Sequence, residues 1–136
     1  MQTHLDYSWN TGSIPPPDYY EYRIIIGPHP RAEIHMRPDY PESNPPLWTE
    51  TFSVPIETMD RLFRMALELP GCPPDQIVRI GGGRGELVLA QSGKESHSVC
   101  LDTEKGRSLA RAVRELVPED TWKMLYEKFD RYRTSR

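Results

Sequence analysis

The chain is poor in cysteine, has no long apolar run, and carries almost no proline after residue 74. Each shortage removes a class of protein. Two cysteines among 136 residues, Cys72 and Cys100, are too few for a disulfide framework or a complete zinc site. They are expected as free thiols of a soluble, cytoplasmic protein. No apolar stretch approaches the roughly 20 residues that cross a bilayer, so no membrane partner is expected. Met1 to Asn10 offers neither a basic start nor an apolar stretch, and no secretory signal is expected there. An excess of one charge is missing too: 17 Lys and Arg stand against 20 Asp and Glu, a formal charge of −3. That balance supplies no general attraction for nucleic acid or anionic lipid, and nucleic acid is not the expected partner.

What is present points to one ordered domain. A chain of this length buries roughly two-thirds of the surface it exposes when unfolded, enough to fold without a metal or staple. Hydrophobic residues make up only 37%, but three Trp, seven Tyr and three Phe each bring a large buried area.

Of the 14 prolines, 13 lie at or before Pro74. Proline fixes φ and removes a backbone donor, so the first half is expected to hold strands and connections rather than long helices. Residues 1–18 end in Ile14-Pro15-Pro16-Pro17 and read as an extended, proline-rich arm, with 19–136 as a single α+β domain. Leu5, Tyr7, Trp9 and Ile14 are too apolar to hang free. The arm is expected to lie as a strap on its own domain, or on a second copy in a homodimer.

Periodicity supplies the remaining elements. Tyr19–Ile26, Ala32–Met36 and Trp48–Val54 alternate with period two and read as three antiparallel strands. From Glu57 to about Leu69 the period changes, with Met59, Leu62, Phe63, Ala66 and Leu69 on one helical stripe that Pro70-Gly71 ends. Gln76–Ile80 reads as a short strand or lead-in. Glu86–Gln91 and Glu95–Leu101 form a hairpin about Ser92-Gly93-Lys94. Asp102-Thr103 offers capping oxygens to a helix striped by Leu109, Ala112, Val113 and Leu116. Pro118 breaks it, and Trp122, Leu125, Tyr126, Phe129 and Tyr132 stripe the last helix. The expected fold is a mainly antiparallel sheet of about five strands in βββ-α-ββ-αα order, with helices packed on one face.

No catalytic set emerges. Gly81-Gly82-Gly83-Arg84-Gly85 is followed by a strand, whereas a phosphate loop opens a helix, so it reads as a flexible connection. There is no Gly-x-Ser-x-Gly elbow, and Cys100 lies in an apolar strand end where a buried thiol is inert. Glu33 and His35 share one strand face, and with His97 they could line a small ligand pocket if their strands were neighbours. Metal binding would need more ligands than these, and no metal or cofactor is expected. Arg107, Arg111 and Arg114 lie on one side of a helix and could meet phosphates, but cations near a helix end are favourable without a ligand. Tyr7, Trp9, Tyr19, Tyr40 and Trp48 sit in or beside proline-rich connections. Aromatics so placed anchor interfaces more often than they catalyse. The function expected is a non-enzymatic binding or protein-interaction module that uses those five. The alternative is a small enzyme or ligand-binding protein built on Glu33, His35 and His97.

Overall fold

A computed structural model describes residues 2–72, 78–80 and 82–135. Among the described residues seven strands form one sheet. They are β1 (Thr3–Asn10), β2 (Glu21–Ile26), β3 (Arg31–Arg37), β4 (Trp48–Ser53), β5 (Val78–Ile80), β6 (Gly83–Gln91) and β7 (His97–Val99). The sheet order is β4-β3-β2-β1-β6-β5, with β7 also pairing with β6, and every pairing is antiparallel. Among the described residues three α-helices complete the fold: α1 (Ile56–Glu68), α2 (Glu104–Leu116) and α3 (Glu119–Thr134).

The α+β class and the antiparallel sheet are as the periodicity predicts, but the strand count is not. The main reason is β1. The segment read as an arm contributes a full strand, Leu5 opposite Ile26 on one side and opposite Leu89 on the other. Thr3–Asn10 alternates as a strand should, and its apolar members lie on one face. Proline is confined to Pro15–Pro17, in the connection to β2. What resembled a strap is the strand that joins the two halves of the sheet. Of the short strand expected over Gln76–Ile80, Val78–Ile80 forms β5, while Gln76 and Ile77 lie outside the described residues.

Burial divides the sheet into two faces. Leu5 and Tyr7 of β1, Ile24 and Ile26 of β2, Ile34 and Met36 of β3, and Leu87 and Leu89 of β6 are all buried. They join the core with Leu62 and Ala66 of α1, Leu109 and Val113 of α2, and Trp122 and Leu125 of α3. The helices therefore cover this face. Residues of the other parity, among them Ser8, Arg23, Glu33, His35, Thr49 and Glu86, are exposed or half-buried.

Local signals work as sequence chemistry requires. The Thr103 hydroxyl accepts from the Gly106 amide at 2.9 Å and caps α2. Pro118 ends one helix and starts the next: Val117 closes α2, and the Trp122 amide bonds back to the Pro118 carbonyl at 3.1 Å. The glycine run is not a free loop throughout. Gly83 begins β6, and a Cβ there would run into the Asn10 carbonyl and the Trp9 ring. Gly81 lies outside the described residues.

The cysteines overturn the free-thiol expectation. Cys72 and Cys100 form a disulfide with Cα atoms 4.6 Å apart. The chain brings them together because residues 70–72 pair with β7: Cys100 N donates to Pro70 O at 2.8 Å and Cys72 N to Ser98 O at 2.9 Å. A cytoplasmic setting, argued from free thiols, loses that support. Among the described residues, no helix is long and apolar enough to cross a membrane.

Candidate functional site

The pocket anticipated at Glu33, His35 and His97 does not assemble. Glu33 and His35 lie side by side on the open face of the sheet, with Glu33 Oε2 3.4 Å from His35 Nε2. His35 Nδ1 sits 2.8 Å from the Thr49 hydroxyl of the neighbouring strand. His97 pairs with Leu89 and so belongs to the helix-covered face, with β2, β1 and β6 between its strand and β3. Its Nε2 donates to the Leu69 carbonyl at 3.0 Å, satisfying an end of α1. The three residues share neither a face nor an edge. A shallow hollow of about 240 Å³ beside His35 is lined by Glu21, Arg23, Arg37 and Leu47, and His97 is no part of it.

The five aromatics expected to form a contact surface do not gather into one exposed patch. Tyr7 and Tyr19 are buried. Tyr19 stacks on Tyr40 with ring centroids 3.8 Å apart, and the Tyr40 hydroxyl donates to the Ile14 carbonyl at 2.9 Å. These contacts hold the proline-rich connections against their own domain. Trp48 meets Tyr132 edge to face across a centroid distance of 6.4 Å. Trp9, half-buried, and Tyr7 line a cavity.

That cavity is a cleft of about 390 Å³ on the helix side of the sheet. Its walls come from β1, β2 with the preceding Tyr20, β5, α2 and α3. Tyr7 and Trp9 alternate onto the same face of β1, and Tyr22 lies opposite Trp9 in the register. The Trp9 indole stacks on Tyr22 at 5.2 Å and donates through Nε1 to the Ile80 carbonyl at 2.8 Å, which ties β5 to this wall. From α3, Tyr126 follows Trp122 by one helical turn, and the two rings stack at 5.7 Å. Ala110 is the small residue of α2 that lines the space between.

Among the described residues, the charge in the cleft is all of one sign. Arg79, Arg107, Arg111 and Arg114 line it, and no described acidic side chain does. Arg114 is positioned: its guanidinium carbon lies 4.4 Å from the centre of the Trp122 ring, and it donates to the Tyr126 hydroxyl at 3.1 Å. Burial works against its charge, but the hydrogen bonds and charge interactions with Tyr126 and Tyr22 outweigh that and raise its pKa. Arg107 pairs with exposed Asp102 at 3.1 Å. The Arg79 and Arg111 side chains have no ion pair or hydrogen bond among the described residues.

The tyrosines remain neutral donors beside this charge. Burial pushes Tyr7 up to about 12, with the Tyr22 hydroxyl and Arg114 pulling weakly the other way. Burial likewise raises Tyr20 and Tyr22, helped in Tyr20 by the adjacent Tyr126. Among the described residues no three His, Cys, Asp or Glu side chains gather as a metal site requires. The arrangement can hold an anionic group against rigid aromatic walls. Among the described residues its lining offers no carboxylate, imidazole or thiol to act as base or nucleophile.

Part of this cleft was visible in the sequence. The one-sided spacing of Arg107, Arg111 and Arg114 was legible, as were the apolar character of Tyr7 and Trp9 and the spacing of Trp122 and Tyr126. The role of Tyr20, Tyr22 and Arg79 was missed, because no local pattern links them to α2. Compared with models of known protein families and with curated proteins, the chain matches none.

Proposed function

We propose that this chain is a non-enzymatic protein-interaction module whose contact surface centres on the arginine–aromatic cleft. The observation that carries the reading is the described lining itself: four arginines and five aromatics, with no acidic side chain among the described residues there. Trp, Tyr and Arg are the residues that dominate binding energy at protein interfaces, where they concentrate in preformed, well-packed pockets. Here the stacked Trp9 and Tyr22 rings, and Tyr126 backed by Trp122, supply rigid walls, so little side-chain freedom is lost on binding. The proline-rich connections, pinned to their own domain, are support rather than contact. A catalytic pocket at Glu33, His35 and His97 has no such support, since these residues lie on opposite faces.

The test is site-specific photo-crosslinking. A photoreactive residue replaces Arg111 at the cleft in one sample and Thr51 on the open face in another. Each intact chain is then incubated with extract from cells that make it. The expected result is a discrete crosslinked protein from the cleft position alone, lost when Arg107→Glu is added without a change in melting temperature. Equal crosslinking from Thr51, or a product indifferent to Arg107→Glu, would move the contact surface away from the cleft.

A further inference from the structure

Resting on that reading, we infer that the partner inserts a short acidic segment into the cleft, with carboxylates two residues apart facing α2. The chemistry of the lining comes first. Guanidinium groups only donate hydrogen bonds, and the Trp9 indole is already committed to Ile80. Among the described residues, no Asp, Glu, Asn, Gln, Ser, Thr or His side chain lines the cleft. Apart from the tyrosine oxygens, the side chains here offer donors only. Such a site selects a group that only accepts: an ionised carboxylate or a phosphate.

Spacing favours an extended peptide. Arg107, Arg111 and Arg114 follow one another along α2, and a helix rises about 1.5 Å per residue, so successive guanidinium positions are offset by roughly 6 and 4.5 Å. In an extended segment, side chains two apart share a face and lie about 6.7 Å apart. The first interval of the arginine ladder thus matches an acidic–x–acidic pattern. Arg111, which has no ion pair of its own among the described residues, stands in the middle of the ladder.

Charge and size disfavour a nucleic acid. A polynucleotide would extend beyond the cleft onto a surface where most of the 20 acidic residues lie, on a chain whose net charge is −3. Bases and ribose also present donors, which would find few acceptors here. A short acidic loop asks only for local complementarity, which also steers its approach. At about 390 Å³, the cleft sits low in the roughly 300–1,000 Å³ range of sites that enclose a whole ligand, and it suits a few inserted side chains.

The test is a nuclear magnetic resonance titration of the intact chain, following the indole N–H signals of Trp9 and Trp122. The probe is a capped Gly-Glu-Ser-Glu-Gly peptide, compared with Gly-Gln-Ser-Gln-Gly, with pyrophosphate and with a short oligothymidylate. The glutamate peptide is expected to give saturable shifts that weaken about tenfold in Arg111→Glu and on raising salt well beyond physiological strength. Arg111→Lys keeps the charge and is expected to retain part of the binding. Equal shifts from the glutamine peptide, tighter binding of pyrophosphate or oligothymidylate, or indifference to Arg111→Glu would overturn the inference. If the peptide fails while crosslinking still localises to the cleft, the acidic segment is wrong and the interaction module stands. If crosslinking fails as well, both fall.

Discussion

Replacing Leu5 by alanine tests whether the first residues of this chain are its central strand. Leu5 is 0% exposed and lies between Ile26 and Leu89 in the sheet register. It faces the helix-covered core, so truncation removes buried methyl groups from a site walled on two sides by hydrogen-bonded strands. Such a site cannot collapse readily, and the residual cavity adds to the lost transfer energy. The loss should be about 3–4 kcal/mol. For a domain of this size that is a fall in Tm of roughly 10 °C. In urea, with an m-value near 2 kcal/mol per M, the midpoint should drop by about 1.5–2 M while m stays constant. Ser8→Ala is the control: the residue is exposed on the open face of the same strand, and its change should stay within about 0.5 kcal/mol. Deleting residues 1–10 goes further, because it separates β2 from β6 and divides the sheet. That variant should show no cooperative unfolding, whereas loss of a mere strap would leave a domain that melts at lower temperature. A Leu5→Ala penalty below about 1 kcal/mol, or one equal to that of Ser8→Ala, would refute the placement of β1.

Two further outcomes follow from the same structure. The Cys72–Cys100 disulfide closes a loop with a sequence separation of 28, which constrains the unfolded chain by about 3–4 kcal/mol. Thermal melts with and without dithiothreitol, and of the Cys72→Ser/Cys100→Ser variant, should differ accordingly, and an unchanged Tm would count against the pairing. Alkaline pH should weaken the fold: Tyr7 is raised by burial from 10.0 to about 12, so the folded state keeps a proton that the unfolded chain releases. Its contribution is fully present below pH 10 and is lost as pH rises to about 12, at about 1.4 kcal/mol per pH unit for each such tyrosine. Urea midpoints across that window, paired with ultraviolet titration of tyrosinate, check this. Midpoints flat up to pH 12 would refute it.

Legibility in the sequence followed the range of the interactions. Period-two alternation in Ala32–Met36 and the stripe of Met59, Leu62 and Ala66 report which side chains share a face, and that is settled within a few residues of chain. The stops were local as well. Thr103 caps α2 with its own hydroxyl, and Pro118 cannot continue a helix wherever the rest of the chain lies. β1 was harder, although its own alternation is regular. The prolines that follow it suggested an arm, and whether an alternating segment lies at an edge or in the middle depends on β6, some 80 residues away.

The sequence by itself determined the class of this protein: an antiparallel sheet with amphipathic helices, their ends marked by caps and prolines. It also placed Arg107, Arg111 and Arg114 on one side of α2. Tertiary structure alone decided what those residues face. Glu33 and His97 are separated because register assigns each strand's two faces, and neither strand knows its partner in isolation. Cys72 meets Cys100 because residues 70–72 pair with β7. The cleft exists because β1 carries Tyr7 and Trp9 beneath α2 and α3. Its charge is therefore a product of packing: four arginines from two separate elements gather where, among the described residues, no acidic side chain lines the wall.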